Sequence, residues 1–429
     1  MTIGPAHDHP LRSSLTQEMH LRGLPHFAAP ARAMQWLVLH PDADSHGAHF
    51  RHVAELARLL GRGPIDRTKH LSFTIGELRF IWEEHSEFST YTLLAQGPFA
   101  EPFGDMDLDA LPAQWLEAIP GQIFRATKIA LLDRATPELS RDLLERLFAP
   151  ADMVCCDVFD GAARVWTDFR KAGDGFGRLL VHDRGLMGSD APRLVQQLQE
   201  LGNYRKMALL GLPLAQRLTK QLATAERELA EISGRIAEQS SDDDEDLLHD
   251  ISALSATLAR LAADTRFRLG ATRAYADIVG DRLEGLAVGR LPGSASLRDF
   301  NERRLRPAVR TCQSAAARLE NLSEQASWTS ALMRTRIDTA TNRQSRDLLA
   351  SMNRRTQLQL RLQQTVEGLS VVAISYYLVG LVHYVAEGVG EHRLGGLSVN
   401  AATGLAVPFI VMLTAFAMHR VRHSLKGRG

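Results

Sequence analysis

From Met34 the chain alternates short runs of β-branched and aromatic residues with runs of helical periodicity, beginning with MQWLVLH at Met34 and HVAELARLL at His52. Closely spaced strands are predicted from Leu71 to Phe73, Leu78 to Trp82 and Phe88 to Leu94, an antiparallel meander with Gly76 in its first turn. Helices are predicted from Leu108 to Ala118 and from Pro137 to Phe148, with a strand from Ile123 to Leu132 between them. Further strands are expected from Met153 to Phe159, Arg164 to Phe169 and Gly177 to His182. This mixed order predicts an α+β domain over residues 34–187, preceded by an N-terminal segment, 1–33.

After Gly188 the pattern becomes helical and stays so. Residues 188–295 read as a long helical hairpin whose first arm ends near Glu238, at an acidic loop, 240–246. The second arm runs from Leu247 to about Val288 and stops at Gly289 and the Leu291-Pro292-Gly293 turn. A stalk helix follows over 296–365. From Cys312 its positions four and three apart are Ala316, Leu319, Ser323, Ala326, Ser330, Met333, Ile337, Ala340 and Gln344, a coiled-coil-like seam of mostly small residues suited to pairing with a second copy. From Ala308 to Gln364 no residue breaks the helix, which implies a stalk of roughly 85 Å at the α-helical rise.

Two uncharged apolar runs close the sequence, LSVVAISYYLVGLVHYVA from Leu369 and LSVNAATGLAVPFIVMLTAFAM from Leu397. They predict transmembrane helices over 366–388 and 397–419, a two-helix hairpin, with a basic tail at 420–429. Gly404 and Pro408 are compatible with a membrane helix, where a neighbouring helix satisfies the freed backbone. Arg354, Arg355 and Arg361 precede the first run, and Arg420, Arg422, Lys426 and Arg428 follow the second, whereas the connection holds only Arg393 against Glu387 and Glu391. The basic flanks place both termini in the cytoplasm and the connection across the membrane.

Charge and cysteine content narrow the chemistry. Lys plus Arg and Asp plus Glu are equal at 50 each, so no global field draws the chain to nucleic acid. Cys155 and Cys156 are adjacent and Cys312 is distant, which is neither a disulfide framework nor a zinc spacing and fits a reducing compartment. The start, with His7, His9 and Pro10, has no apolar core of a secretory signal.

Between Arg303 and Arg361 stand twelve arginines, no lysine and four acids. That stretch reads either as a solvated basic helix or as a surface for anionic lipid, with Arg354, Arg355, Arg361, Arg420, Arg422 and Lys426 as the lipid-contact candidates. His46, His49 and His52, near His40, Asp42 and Asp44, have the i, i+3 spacing of ligands on one helix face, so a divalent cation is the one candidate cofactor; the alternative is a chance cluster in a chain with 16 histidines. The acidic run from Asp242 to Asp246 is either a cation site or a solvated loop. Gly173, Gly175 and Gly177 imitate part of a phosphate loop but precede a strand and have no Lys-Ser/Thr ending, which favours a hairpin turn. No catalytic constellation emerges, and none is expected. In the first apolar run Glu367, Ser370, Ser375, Tyr376, Tyr377, His383 and Glu387 form a polar side that either lines a pore or bonds to the partner helix.

Four stretches, His9-Pro10-Leu11-Arg12, Glu87-Phe88-Ser89-Thr90-Tyr91-Thr92, Leu209-Leu210-Gly211-Leu212-Pro213-Leu214, and Val366-Glu367-Gly368-Leu369-Ser370 with Ile374-Ser375-Tyr376-Tyr377, resemble those of a bacterial family of uncharacterised, membrane-anchored proteins. The resemblance extends over almost the whole chain and implies a bacterial inner-membrane location. It departs near the start, where the family's His-Ala-Arg-Pro stretch is replaced by His20-Leu21-Arg22-Gly23.

The order of elements is also similar to CorA-type magnesium transporters, without their Gly-Met-Asn motif; Ala386-Glu387-Gly388-Val389-Gly390 stands there instead. Two functions are therefore carried forward. One is a membrane-anchored, non-enzymatic structural or regulatory homo-oligomer whose partners are lipids and proteins of unknown identity, and the other is a CorA-like homo-oligomeric ion pathway lined by the first span.

Overall fold

Strands form at the short runs of apolar, β-branched and aromatic residues, and eight of them join in a single mixed sheet of order β2-β3-β4-β1-β5-β8-β7-β6. The computed structural model describes residues 9, 11–12, 15–16, 23–40, 45–108, 111–238, 243–389 and 398–426. The expectations for His20 to Arg22, Asp42, Asp44, Ser240 to Asp242, Gly390 to Leu397 and Arg428 lie outside the described residues, as do the side chains of His46, Arg422 and Lys426.

The strands are β1 (Ala31–Leu39), β2 (His70–Ile75), β3 (Leu78–Glu84), β4 (Phe88–Gln96), β5 (Ile123–Leu132), β6 (Val154–Val158), β7 (Ala163–Thr167) and β8 (Gly177–Asp183). All neighbours are antiparallel except β5 and β8, which run parallel with Thr127 opposite Gly177. Gly76 takes a φ of 57° in the tight turn between β2 and β3, a conformation that favours glycine. Phe88 to Leu94 are buried at every position, as befits a strand covered on both faces.

One face is covered by α1 (Ser45–Leu59) and α2 (Ala113–Glu117), which bury Val53, Leu56 and Trp115 against Phe80, Trp82 and Tyr91. The third helix, α3 (Arg141–Leu147), contributes Leu144 to a neighbouring cluster with Trp166 and Leu180. Both short helices start later than their apolar pattern suggests. Pro112 stands in extended backbone at the N-terminus of α2, and the Ser140 hydroxyl accepts from Leu143 N at 3.3 Å at that of α3.

The opposite face packs on α4 (Asp190–Leu209), the last turns of α6 (Asp244–Gly285) and the first turns of α7 (Leu297–Val389), through Leu194, Leu198, Leu201, Leu283, Leu297 and Leu305. Between α4 and α6 lies α5 (Gly211–Glu238). The single helix expected over that stretch is thus two. Pro213 cannot donate to the backbone of α4, and a Cβ on Gly211 would collide with Thr272 of α6 and press on Cys312 of α7, so the joint is held where three helices converge.

Further along, α5, α6 and α7 bury stripes at three- and four-residue spacing: Leu218, Leu222 and Leu229; Ile251, Leu254, Leu258 and Leu261; Cys312, Ala315, Leu319, Leu322 and Ala326. Arg318 of α7 pairs with Glu226 of α5 at 2.8 Å, and Arg235 of α5 with Asp250 of α6 at 3.0 Å. The seam expected through Ala316 and Ser323 therefore runs through Ala315 and Leu322 instead. Leu322 is the larger apolar side chain and takes the buried position.

The connection from α6 to α7 is laid against the open side of β6. Cys155 N donates to Ala295 O at 2.9 Å, Gly289 N to Asp157 O at 2.8 Å and Phe159 N to Leu286 O at 2.8 Å. Ser296 and Asp299 then cap α7 reciprocally, Ser296 N to Asp299 Oδ2 at 2.9 Å and Asp299 N to Ser296 Oγ at 3.1 Å.

The chain divides into two units, one of residues 1–238 and 249–330 and one of residues 239–248 and 331–429. The first holds the sheet and its helices. In the second, Arg336 pairs with the buried Asp244 at 2.9 Å, and α7 and α8 (Val399–Lys426) each carry a segment long and apolar enough to cross a membrane, with mean hydropathy 1.7 and 2.0. The fold is thus an α+β sheet domain followed by long helices, two of them apolar.

Candidate functional site

In the sheet domain a chain of polar side chains ends in a basic cleft. Gln35 Nε2 donates to Thr92 Oγ1 at 3.0 Å, Asn203 Nδ2 donates to Gln35 Oε1 at 3.0 Å, and Arg125 Nη1 donates to Asn203 Oδ1 at 2.8 Å. Gln35, Thr92 and Asn203 are buried, so each link satisfies a group that would otherwise be stranded away from water. A glycine at 202 makes the approach feasible, since a Cβ there would collide with the Arg125 guanidinium.

Arg125 opens into a cavity of about 380 Å³ between the start of β5, the loop from β7 to β8, and α4. Arg205 and Lys206 of α4 line it as well, with Arg170, Lys171 and Arg178 towards the loop. The Arg205 guanidinium lies 4.1 Å from the centre of the Phe169 ring, which stacks on Phe300 of α7 at 3.8 Å. Ile123, Phe124 and Phe169 supply an apolar wall, behind which Leu198, Leu201 and Leu297 are buried in the core.

The cations of this cleft fall into two sets. Arg170 Nε donates to Asp152 at 2.6 Å, and Asp174 lies 3.6 Å from Arg178 and 2.9 Å from Lys128 just behind. Arg125, Lys171, Arg205 and Lys206 form no ion pair among the described residues, Lys171 and Lys206 being exposed, and Arg205 Nη1 is buried without a hydrogen-bond acceptor. Burial and the Arg205 charge pull Arg125 down to about 9, burial pulls Arg205 down to about 10, and Lys206 is lowered by burial and by both arginines.

Chemically, such a set can hold an anion. Gly173, Gly175 and Gly177 lie beside it in a turn closed by Ala172 N to Phe176 O at 2.8 Å, with Gly175 at a φ of 89°.

The histidine cluster sits on the other side of the sheet. His49 Nδ1 is hydrogen-bonded to the Tyr91 hydroxyl at 2.8 Å, His40 Nε2 to Ser89 Oγ at 3.0 Å, and the His52 ring stacks on Trp115 at 4.4 Å. Burial, with the His49 charge second, lowers His52 to about 4. Among the described residues no group of three or more His, Cys, Asp or Glu is arranged to hold a metal ion.

In the apolar helices Ser375 and Thr414 share a hydrogen bond at 2.7 Å and His383 Nδ1 one with Thr403 at 3.2 Å. Glu367 accepts from Gln363 at 3.3 Å, and the Ser370 hydroxyl donates to Val366 O at 2.8 Å. Tyr376, Tyr377, Glu387, Arg354, Arg355, Arg361 and Arg420 are exposed.

Sequence reasoning missed Arg125, Arg205 and Lys206 because they come from a strand and a helix far apart in the chain. One signal was readable: Arg205 continues the apolar series Leu194, Leu198 and Leu201 on the buried face of α4, where a cation is out of place.

The resemblance motifs also acquire physical roles. Glu87 accepts from Tyr275 at 2.6 Å and pairs with Arg268, while Phe88, Tyr91 and Thr92 fill the core of β4. Leu209 to Leu214 form the joint between α4 and α5.

No curated protein and no solved structure matches the chain. A family model described as "Protein of unknown function (DUF3422)" matches residues 7–425, and the chain belongs to that family.

Proposed function

We propose that this is a membrane-anchored, non-enzymatic structural or regulatory protein, held in a bacterial inner membrane by a hairpin of α7 and α8 with the sheet domain and both termini in the cytoplasm. The observation that carries the reading is the pair of apolar helices. Leu369, Val372, Tyr376, Leu381, Phe409 and Met412 are each at least 60% exposed, an apolar surface that water does not tolerate and lipid does. Basic flanks and a connection with a single arginine support the orientation.

Association with a second copy is supported by the next stretch of α7, where Leu348, Leu349, Met352, Leu358 and Leu362 are exposed. The CorA-like ion pathway receives less support. Ser375 and His383 bond to α8, the arrangement of polar groups that pair helices within a membrane.

Fractionation tests the anchor. The full chain is expected in the membrane pellet after extraction at alkaline pH, with a C-terminal reporter active on the cytoplasmic side. Release by alkali, or a reporter active on the far side, sinks the reading.

A further inference from the structure

We propose that the basic cleft binds a phosphate monoester, its phosphoryl group between Arg125, Arg205 and Lys206 and its organic part against Ile123, Phe124 and Phe169. Nothing in this inference depends on how the chain meets the membrane.

Lys128, Arg170 and Arg178 each have an acid within 4 Å, so at these positions the fold supplies its own counter-charges. For Arg125, Arg205 and Lys206 it supplies none among the described residues, although they repel one another and two are partly buried. Gathering like charges out of water is costly, and the cost falls when an anion binds among them.

The cleft is also built rather than incidental. Arg125 is aimed by the relay through Asn203, Gln35 and Thr92 and admitted by Gly202, while Arg205 is held on Phe169. Guanidinium groups fixed in this way match the paired oxygens of a phosphoryl group.

Charge and size choose among anions. A phosphate monoester carries roughly −1.5 to −2 at neutral pH and offers three acceptor oxygens, against one charge and two oxygens for a carboxylate. A cavity of about 380 Å³ has the size of small-molecule pockets, and the partly exposed Ile123, Phe124 and Phe169 along it call for an organic group on the phosphate. That chemistry occurs both in soluble phosphate esters and in phosphatidic acid headgroups.

The test is calorimetric titration of the detergent-purified full chain with phenyl phosphate, benzoate and dihexanoyl phosphatidic acid. Phenyl phosphate is expected to bind at one site per chain and at least about tenfold more tightly than benzoate. Arg125→Gln and Arg205→Gln should weaken it by roughly tenfold to a hundredfold. Lys206→Gln, at an exposed position that leaves the fold intact, should weaken it by about three- to tenfold.

If the phosphatidic acid binds with the same dependence on these residues and phenyl phosphate does not, the proposal stands with a lipid headgroup as the source. Absence of binding by both phosphate esters at millimolar concentration to folded protein overturns it. So does binding that Lys206→Gln and Arg205→Gln leave unchanged.

Discussion

The two faces of the sheet each carry a polar cluster, and the two are built on opposite terms. On one, His40, His49 and His52 are absorbed into packing: hydrogen bonds to Ser89 and Tyr91 and a stack on Trp115. On the other, Arg125 is positioned by a relay of buried amides and then left, with Arg205 and Lys206, facing a cavity without a carboxylate partner among the described residues. Close spacing in sequence marked the first cluster and long-range topology assembled the second. The first cluster can thus be read from spacing along the chain, whereas the second exists only once the fold is formed.

Four substitutions test whether the two clusters differ in this way. The largest effect is expected for Trp115→Ala, which removes the ring beneath His52 and the indole bond to His52 O; about 3–5 kcal/mol of unfolding free energy should be lost in urea titration. The cleft should be unaffected, so phenyl phosphate affinity serves as the control.

Gly202→Val forces a branched side chain into the space of the Arg125 guanidinium, at a cost of about 3 kcal/mol, the upper end for overpacking. Unlike the tryptophan change, it should abolish anion binding. Asn203→Leu leaves Gln35 Oε1 and Arg125 without their partner and should cost about 2 kcal/mol; a change below experimental error would show that the relay is ornamental.

The smallest effect is one of slope. His52 has a folded pKa of about 4, below the 6.5 of the unfolded chain, so the unfolded state takes up the proton first. Its contribution is fully present above pH 6.5 and declines as pH falls towards 4. His52→Phe should flatten the pH dependence of urea midpoints across that window, and an unchanged slope would assign the effect to other groups.

Much of the sheet was legible because its strands are short runs of apolar, β-branched and aromatic residues between turn residues. Ile123 to Leu132 forms a strand over the limits its apolar pattern sets, and Gly76 makes the turn its position suggests. Helix ends were less readable where a cap overrides periodicity, as at Pro112 and Ser140. The division at Leu210 depends on Thr272 and Cys312, residues that no local window contains. The seam on α7 was found in register at Cys312, Leu319 and Ala326 but misplaced between them, because periodicity alone does not say which side of a helix its neighbours occupy. For the cleft, the sequence contained the cations and the glycine but not their convergence, which arises only when β5 lies beside β8 and beneath α4.

The strip from Leu286 to Ala295 that seals β6 also sets a schedule for synthesis. A ribosome delivers all eight strands before it delivers the residues that close this edge, so the nascent sheet waits through the whole of α4, α5 and α6 with β6 open to pairing. Chains stalled before Leu286 should accordingly engage chaperones and aggregate more than chains stalled after Ser296. The hazard ends about 70 residues before the first apolar run begins at Leu369, so the sheet is closed before that run is made.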